Sequence, residues 1–196
     1  MKNRAIFLDR DGTLNEDSRD YIKNLAEFRL FRETLPALKM LHAAGYLLII
    51  ITNQSALARG LITEAELRRI HTYLKGEVQK AAAEITDIYI CPHHPDENCD
   101  CRKPKIANVL RAAEEHDIDC QRSYFIGDSI KDIQTGQRAG CHTVLVETGI
   151  RQYRDGELRQ KEVHPDCRCR DILAAAQYIV RQNHNDTNQS TDNHLA

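Results

Sequence analysis

Two aspartates separated by one residue follow a short apolar run near the start of the chain, in "AIFLDRDGTLNED" (5–17). Carboxylates this close repel each other, and they stay ionised only beside a cation or hydrogen-bond donors. If the apolar run is a strand that remains extended, Asp9 and Asp11 point to the same side. Asp9 could then attack phosphorus and form an aspartyl-phosphate, with Asp11 acting first as acid and then as base. The alternative is an ordinary polar turn, which Gly12 would also favour.

A third aspartate follows another apolar run, in "SYFIGDSIKD" (123–132). Magnesium prefers a few carboxylate oxygens together with waters and a substrate phosphate. Asp9, Asp11 and Asp128 therefore form a candidate magnesium site. Asp132 is expected to orient donors around the metal, and the alternative for Asp128 is to cap the helix predicted over 129–139.

Donors and cations for a phosphoryl group come from two further stretches of the chain. In "ITNQSALARG" (51–60), Thr52 could donate its hydroxyl to a phosphate oxygen, and the backbone amides of the turn could add donors. In "CRKPK" (101–105), Lys103 could neutralise charge on a transferred phosphoryl group, and Arg102 could bind an oxyanion of the substrate.

Soft metal ligands cluster just before these cations, in the pattern C-x-H-x₅-C-x-C. Three thiolates and one imidazole suit a tetrahedral zinc ion, and four protein ligands leave no open position. The pattern predicts a structural zinc that holds the loop carrying Arg102 and Lys103. Spacing alone does not decide between His93 and His94. The predicted ligands are Cys91, His93, Cys99 and Cys101.

The remaining cysteines predict no disulfide framework. The chain has seven cysteines, an odd number, and no export signal, which favours reduced thiols or metal ligands. Cys120 and Cys141 are expected to be small core residues. Cys167 and Cys169 are expected in a strand or loop near the surface.

Alternating apolar and amphipathic stretches must position these side chains. Strands are predicted at 5–8, 46–52, 87–91, 123–127 and 142–147, and helices at 32–45, 63–84, 104–117, 129–139 and about 170–182. This alternation predicts an α/β fold with a central parallel sheet between helices, as one domain over 1–182. The polar tail at 183–196 is expected to be disordered. Since ligands bind at the carboxyl ends of parallel strands, the polar residues after each strand should meet at one edge.

Composition limits the classes of function. The chain has 196 residues, 41% of them hydrophobic and 29% charged, with a net charge of −2, so nothing indicates a nucleic-acid partner. The longest apolar run, "YLLIII" (46–51), is far short of the roughly 20 residues that span a membrane. The first residues, "MKNRAIFLDR", lack the apolar region of a secretory signal. We expect a cytoplasmic monomer with no membrane partner.

In chain order, "FLDRDGT", "TNQS", "CRKP" and "GDSIKD" resemble the four motifs of the haloacid dehalogenase (HAD) superfamily of phosphatases. More narrowly, "TNQSALARG" with "CPHHPDENCDCRKP" resembles the D-glycero-D-manno-heptose 1,7-bisphosphate phosphatase family, and the similarity covers about residues 4–150. The resemblance implies a three-layer, Rossmann-like HAD fold with no large cap domain, a magnesium ion, a structural zinc and a small phosphosugar substrate.

The resemblance also implies residue roles. Asp9 would be the nucleophile and Asp11 the proton donor, and Asp11 would bind magnesium through its main-chain carbonyl beside Asp9 and Asp128. Thr52 and Lys103 would stabilise the phosphoryl group, and zinc would be bound by the three cysteines and His93. The expected substrate-binding residues are Asn53, Gln54, Ser55 and Arg102.

Two departures from the family pattern bear on the substrate. Ala56 stands where the family turn often has glycine, so this turn cannot use a positive φ. The segment "NEDSRDYIKN" (15–24), which is expected to touch the sugar, is one residue longer than in well-known members. Histidinol-phosphate phosphatase is the second hypothesis, although "NQSALARGLIT" favours the heptose enzymes. A non-catalytic module that binds a phosphorylated ligand is the third.

Overall fold

A six-stranded parallel sheet forms the centre of the computed structural model, which describes residues 2–192 and, within them, side chains as far as residue 183. The sheet order is β3-β2-β1-β4-β5-β6, with every neighbouring pair parallel. The chain builds outward from β1 to β3 and then crosses to β4 on the other side. The strands are β1 (Ala5–Leu8), β2 (Leu47–Asn53), β3 (Asp87–Cys91), β4 (Tyr124–Gly127), β5 (His142–Val146) and β6 (Cys167–Cys169).

Helices cover both faces of the sheet because successive strand residues point to opposite sides. Ile6 and Leu8 belong to the same buried cluster as residues of α1, α2 and α6, whereas Phe7 packs in a second cluster with Val109 of α3. On that second face, Gly136 of α4 lies directly over Phe125. The helices are α1 (Thr34–Ala43), α2 (Glu64–Lys80), α3 (Ala107–Glu115), α4 (Ile130–Ala139), α5 (Asp155–Gln160) and α6 (Ile172–Asp192).

The predicted α/β class, the parallel sheet and the three layers are confirmed, and several element ends differ. Helix α3 begins at Ala107 rather than at residue 104, because residues 101–105 form turns. The short α5 and the edge strand β6 extend the fold past the predicted elements, and Cys167 and Cys169 lie on that edge strand. Cys141 is buried and Cys120 packs beside it, as expected.

Helix α6 continues to Asp192, ten residues beyond its predicted end at 182. The sequence from 170 to 192 contains no glycine or proline, so no local signal stops the helix where the composition becomes polar. Residues 193–196 of the predicted tail lie outside the described residues.

Three connecting segments surround the carboxyl edge of the sheet: 9–33 after β1, 92–106 after β3 and 147–154 after β5. Segment 9–33 contains turns and isolated bridges in place of a helix, and Thr34 Oγ1 donates to the Leu14 carbonyl at 2.5 Å where α1 begins. Within residues 2–192, none of the three is large enough to form a separate cap domain. No helix in that range is both long and apolar enough to cross a bilayer.

Candidate active site

The polar residues that follow the strands converge on one open cavity of about 350 Å³ at the carboxyl edge of the sheet. Strands β1 and β4 are neighbours, with Leu8 paired to Ile126, so Asp9 and Asp128 emerge side by side. This is the point where the order of the strands reverses, which is where open α/β sheets bind ligands. All nine residues predicted for catalysis, magnesium or substrate line this cavity: Asp9, Asp11, Thr52, Asn53, Gln54, Ser55, Arg102, Lys103 and Asp128.

Lys103 joins two of the carboxylates. Its Nζ lies 2.7 Å from Asp9 Oδ1 and 2.6 Å from Asp132 Oδ1, and the lysine side chain is 3% exposed. Burial alone would lower the pKa of Lys103, but the charges of Asp132 and Asp9 outweigh it and raise that pKa, so the ammonium is retained. Burial and the Asp132 charge raise the pKa of Asp9 to about 7, against the opposing effect of Lys103. Asp9 Oδ1 also accepts the Arg10 amide at 2.7 Å, which fixes its orientation.

Asp128 is enclosed by backbone. A Cβ added to Gly149 would lie 2.0 Å from Asp128 Oδ2, and one added to Gly12 would lie 2.7 Å away, so only glycine fits at either position. Burial, followed by the charges of Asp132 and Asp9, raises the pKa of Asp128 to about 9. Carboxylate oxygens of Asp9, Asp128 and Asp132 all lie within 4.8 Å of one another. Such a group of buried acids is stable as anions only when a cation joins it.

The alternative role for Asp128 as a helix cap is wrong. Ser129 is the N-cap of α4, and it forms a capping box with Asp132, whose Oδ2 accepts from the Ser129 amide at 3.0 Å and from its hydroxyl at 2.5 Å. Asp128 precedes the cap, so its carboxylate is left for the cavity. Asp132 orients Lys103 with one oxygen and the start of α4 with the other, which agrees with its predicted orienting role.

The Asp11 carboxylate is held apart from this acidic group by three donors. Arg10 donates from Nε and Nη2 at 2.8–2.9 Å, Asn15 donates from Nδ2 at 2.9 Å, and Gln54 donates from Nε2 at 2.7 Å. Burial raises the pKa of Asp11, but the Arg10 charge and these hydrogen bonds outweigh it, so the net pKa is lowered. The side chain of Asp11 is therefore held as an anion by donors of the chain and is not part of the acidic group formed by Asp9, Asp128 and Asp132.

Polar side chains at the end of β2 and in the turn after it line the cavity and also bind other residues of the site. Gln54 also donates to Thr52 Oγ1 at 2.9 Å, and Thr52, Gln54 and Ser55 are each at most 4% exposed. The amide of Asn53 makes two bonds to the backbone of Lys103, accepting from its N–H at 3.1 Å and donating to its carbonyl at 3.3 Å. Asn53 and Gln54 were predicted to bind substrate, and in this structure their side chains position Lys103 and Asp11.

The four predicted zinc ligands meet in one cluster. Neighbouring ligand atoms lie 3.2–3.7 Å apart around the set, from Cys91 Sγ through Cys99 Sγ and Cys101 Sγ to His93 Nδ1. A tetrahedron with metal–sulfur bonds of about 2.3 Å has edges near 3.8 Å, so the spacing fits a closed four-coordinate site. The His94 ring points elsewhere and caps a short 3₁₀ turn (Pro95–Glu97), which leaves His93 as the imidazole in the cluster.

Hydrogen bonds join the strand and loop that carry the cysteine and histidine cluster to the end of β2 and the turn after it. The backbone N–H of Gln54 donates to the Cys91 carbonyl at 2.8 Å, and Asn53 holds the backbone of Lys103, two residues after Cys101. Arg102 lines the cavity next to Lys103, and its Nη1 is buried with no hydrogen-bond partner among residues 2–192.

The segment that departs from the family pattern forms one wall of the cavity. Asp17, Ser18, Arg19, Tyr21 and Ile22 line it, as does Pro95 of the loop that bears the cysteine and histidine cluster. Tyr21 has a φ of 63°, a conformation that costs energy for a residue with a side chain. Ala56 is 1% exposed, packs in the core and is not among the residues with positive φ, so its turn does not need glycine.

Sequence reasoning missed three residues that shape the site. From the sequence, Arg10 is expected to be a solvated charge between two aspartates, yet its side chain is completely buried and donates hydrogen bonds to the Asp11 carboxylate. His71 reads as part of an amphipathic helix, yet its Nε2 lies 3.0 Å from Arg10 Nη1. Gly149 follows a strand at the same edge as Asp128, and that position was the one available signal for it.

Comparisons with known proteins assign the fold and site to a family. The haloacid dehalogenase-like hydrolase model matches residues 2–137, and a second model, described as HAD-hyrolase-like, matches residues 100–175. The chain belongs to the haloacid dehalogenase-like hydrolase family.

Among its relatives are enzymes that act on heptose bisphosphates. The D-glycero-beta-D-manno-heptose-1,7-bisphosphate 7-phosphatase of Pseudomonas aeruginosa is 40% identical over 76% of this chain and 84% of its own length. The D-glycero-alpha-D-manno-heptose-1,7-bisphosphate 7-phosphatase of Campylobacter jejuni is 39% identical over 74% of this chain and 83% of its own. The D,D-heptose 1,7-bisphosphate phosphatase of B. bronchiseptica, crystallised with magnesium and phosphate, superposes with a TM-score of 0.83 at 34% identity, covering 91% of this chain and 99% of that one.

Proposed function

We propose that the protein is a magnesium-dependent phosphatase that removes the 7-phosphate of D-glycero-D-manno-heptose 1,7-bisphosphate through an aspartyl-phosphate, in the synthesis of heptose precursors of lipopolysaccharide. The observation that carries the proposal is the Asp9 carboxylate, which is oriented by its own turn, lies 2.7 Å from a buried lysine and shares a cavity with Asp11. Relatives of about 40% identity that carry this activity in their names supply the substrate class.

The acidic group fits a magnesium ion. Asp9 and Asp128 would bind the ion, with the main-chain carbonyl of Asp11, and the raised pKa values of Asp9 and Asp128 are the mark of buried acids that need a cation. When bound, magnesium supplies positive charge that offsets the charge of the phosphate and of the acids around it. The ligand spacing around Cys91, His93, Cys99 and Cys101 fits a structural zinc.

The residues of the chain divide the reaction between them. Asp9 attacks phosphorus in line with the bond to the sugar oxygen, Lys103 and Thr52 stabilise the charge on the transferred group, and Asp11 gives a proton to the departing oxygen. Asp11 then takes a proton from the water that hydrolyses the aspartyl-phosphate, because the contacts that lower its pKa keep the carboxylate ionised and able to accept one. Arg102, which lines the cavity beside Lys103, binds an oxyanion of the substrate.

A substrate panel tests this proposal. Turnover with magnesium is measured on the α and β anomers of heptose 1,7-bisphosphate, on histidinol phosphate and on p-nitrophenyl phosphate. The expected result is the highest kcat/KM on one heptose anomer, with release of the 7-phosphate alone. Preference for histidinol phosphate would show that the proposed substrate is wrong and favour a histidinol-phosphate phosphatase. Tight phosphosugar binding without any turnover would show that the protein is a binding module and not an enzyme.

The variant Asp9→Asn provides the matched control. It is expected to abolish turnover while the zinc content and the far-ultraviolet circular dichroism spectrum stay close to those of the wild type, because the substitution removes the nucleophile and keeps the size of the side chain. Activity near that of the wild type would refute the assignment of Asp9.

A further inference from the structure

The Arg10 guanidinium occupies a closed site behind the catalytic aspartates. It is completely buried, it makes three contacts of 2.8–2.9 Å with the Asp11 carboxylate, and the Phe28 ring centroid lies 5.7 Å from its Cζ. The nitrogen that does not contact Asp11, Nη1, faces His71 Nε2 at 3.0 Å. His71 lies on α2, outside the four sequence motifs, and is 8% exposed.

The direction of the hydrogen bond follows from chemistry. A guanidinium only donates, so Nε2 must be the acceptor and the imidazole must be neutral with its proton on Nδ1. Burial and the neighbouring Arg10 charge lower the pKa of His71 to about 3, which agrees with the neutral ring. His71 therefore neither gives nor takes a proton in this site. It supplies one fixed acceptor atom.

Of the three donors that hold Asp11, Arg10 is the one that makes bidentate contact. Asn15 and Gln54 each donate one hydrogen bond to the carboxylate and could rotate with it. The plane of the guanidinium fixes both carboxylate oxygens at once, and that plane is set by whatever Nη1 binds. Without an acceptor on α2, Nη1 would be a buried unsatisfied donor, and the guanidinium would turn to find another.

We propose that His71 is a positioning residue for proton transfer, whose Nε2 fixes the Arg10 guanidinium so that Asp11 meets the oxygen of the leaving group. The inference rests on the proposed phosphatase function. In the step concerned, a bond forms between Asp9 and phosphorus, the bond from phosphorus to the leaving oxygen breaks, and that oxygen takes the proton of Asp11. An alkoxide leaving group needs the proton, whereas a nitrophenolate can leave without it.

Dependence on the leaving group separates this role from a structural one. We would measure kcat/KM, which reports the steps up to phosphorylation of Asp9, on a sugar phosphate and on p-nitrophenyl phosphate, for wild type, His71→Leu and His71→Gln. His71→Leu is expected to lose roughly 10- to 100-fold on the sugar phosphate, since misplacement by about 1 Å can cost that much. On p-nitrophenyl phosphate the loss is expected to stay within about threefold. His71→Gln, whose amide oxygen can accept from Arg10, is expected to recover most of the difference.

Two further variants distinguish the loss of the acceptor atom from a general loss of stability. Leu74→Ala, one turn along α2, removes a fully buried side chain and keeps the acceptor, so it should lower both activities equally or neither. If His71→Leu does not fold, His71→Met takes its place, because methionine adapts to irregular spaces and is only a weak acceptor. Equal losses on both substrates, or no loss in a folded variant without the acceptor, would overturn the role of His71. Absence of turnover by the wild type on every phosphate ester would instead overturn the proposed function.

Discussion

Replacement of Asp128 by asparagine should stabilise the magnesium-free protein while it impairs catalysis. The folded pKa of Asp128 is about 9, against an ordinary value of 3.8. Between these pH values the unfolded chain is ionised at this residue while the folded chain keeps the proton. The folded state therefore binds more protons in that window, and its stability falls as the pH rises from about 4 towards 9.

The size of the effect follows from the shift. About four pKa units separate the value of 3.8 from pH 8, and at about 1.36 kcal/mol per unit the ionisable group costs at most about 6 kcal/mol there. An asparagine keeps the shape but leaves a buried amide beside Asp9 and Asp132, so a net gain of about 2–4 kcal/mol at pH 8 is expected. At pH 4 the gain should almost vanish, because the carboxyl of the wild type is then protonated in the folded state.

Urea unfolding in magnesium-free buffer at pH 4 and pH 8 provides the measurement. The buffer should be passed over a chelating resin, since a soluble chelator would also remove metal from the cysteine cluster. Asp20→Asn, at an exposed position in the 9–33 segment, is the matched control and should leave stability within about 0.5 kcal/mol. Added magnesium should stabilise the wild type more than the variant. An equal gain at both pH values, or no gain at pH 8, would refute the electrostatic reasoning.

Three other perturbations test separate parts of the site. Gly149→Ala should weaken magnesium activation about tenfold or more, because its Cβ would lie 2.0 Å from Asp128 Oδ2; an unchanged magnesium titration of activity would contradict this. Lys103→Met should lower kcat about 10²- to 10³-fold, as loss of one transition-state contact does elsewhere, and steady-state kinetics that show only a raised KM would count against it. Cys99→Ser should lower the zinc content, measured by atomic absorption, and should lower activity as well, because the cluster supports the turn that carries Lys103. Full activity without zinc would show that the position of Lys103 does not depend on the cluster.

The fold could be predicted from local pattern because apolar runs of strand length alternate with amphipathic stretches of helix length. Thr63, for example, is the N-cap of α2 and accepts from the Glu66 amide, as the capping pattern predicts. The end of α6 could not be predicted, since a polar composition does not terminate a helix when no glycine or proline follows.

The residues that form the site could be predicted from their chemistry and their position after a strand. The hydrogen bonds between their side chains could be seen only in the structure. A carboxylate after a strand points to the cavity because of the fold, so Asp9 and Asp128 could be placed in advance. The partners of Asn53 and Arg10 could not be, because an amide and a guanidinium can reach several neighbours and the choice depends on tertiary packing. The burial of Arg10 is visible only once α2 lies behind it.

The double hydrogen bond between Asn53 and the backbone of Lys103 bears on how the loop over 92–102 could be re-engineered. It fixes one end of the 92–102 segment to β2, and the cysteine and histidine ligands fix the other part to β3. Residues 94–98 lie between these anchors and are half-buried or exposed. Pro95 lines the cavity, so under the proposed function insertions or replacements at 94–98 should alter which molecules enter while Lys103 stays beside Asp9, which makes this stretch a place to engineer selectivity.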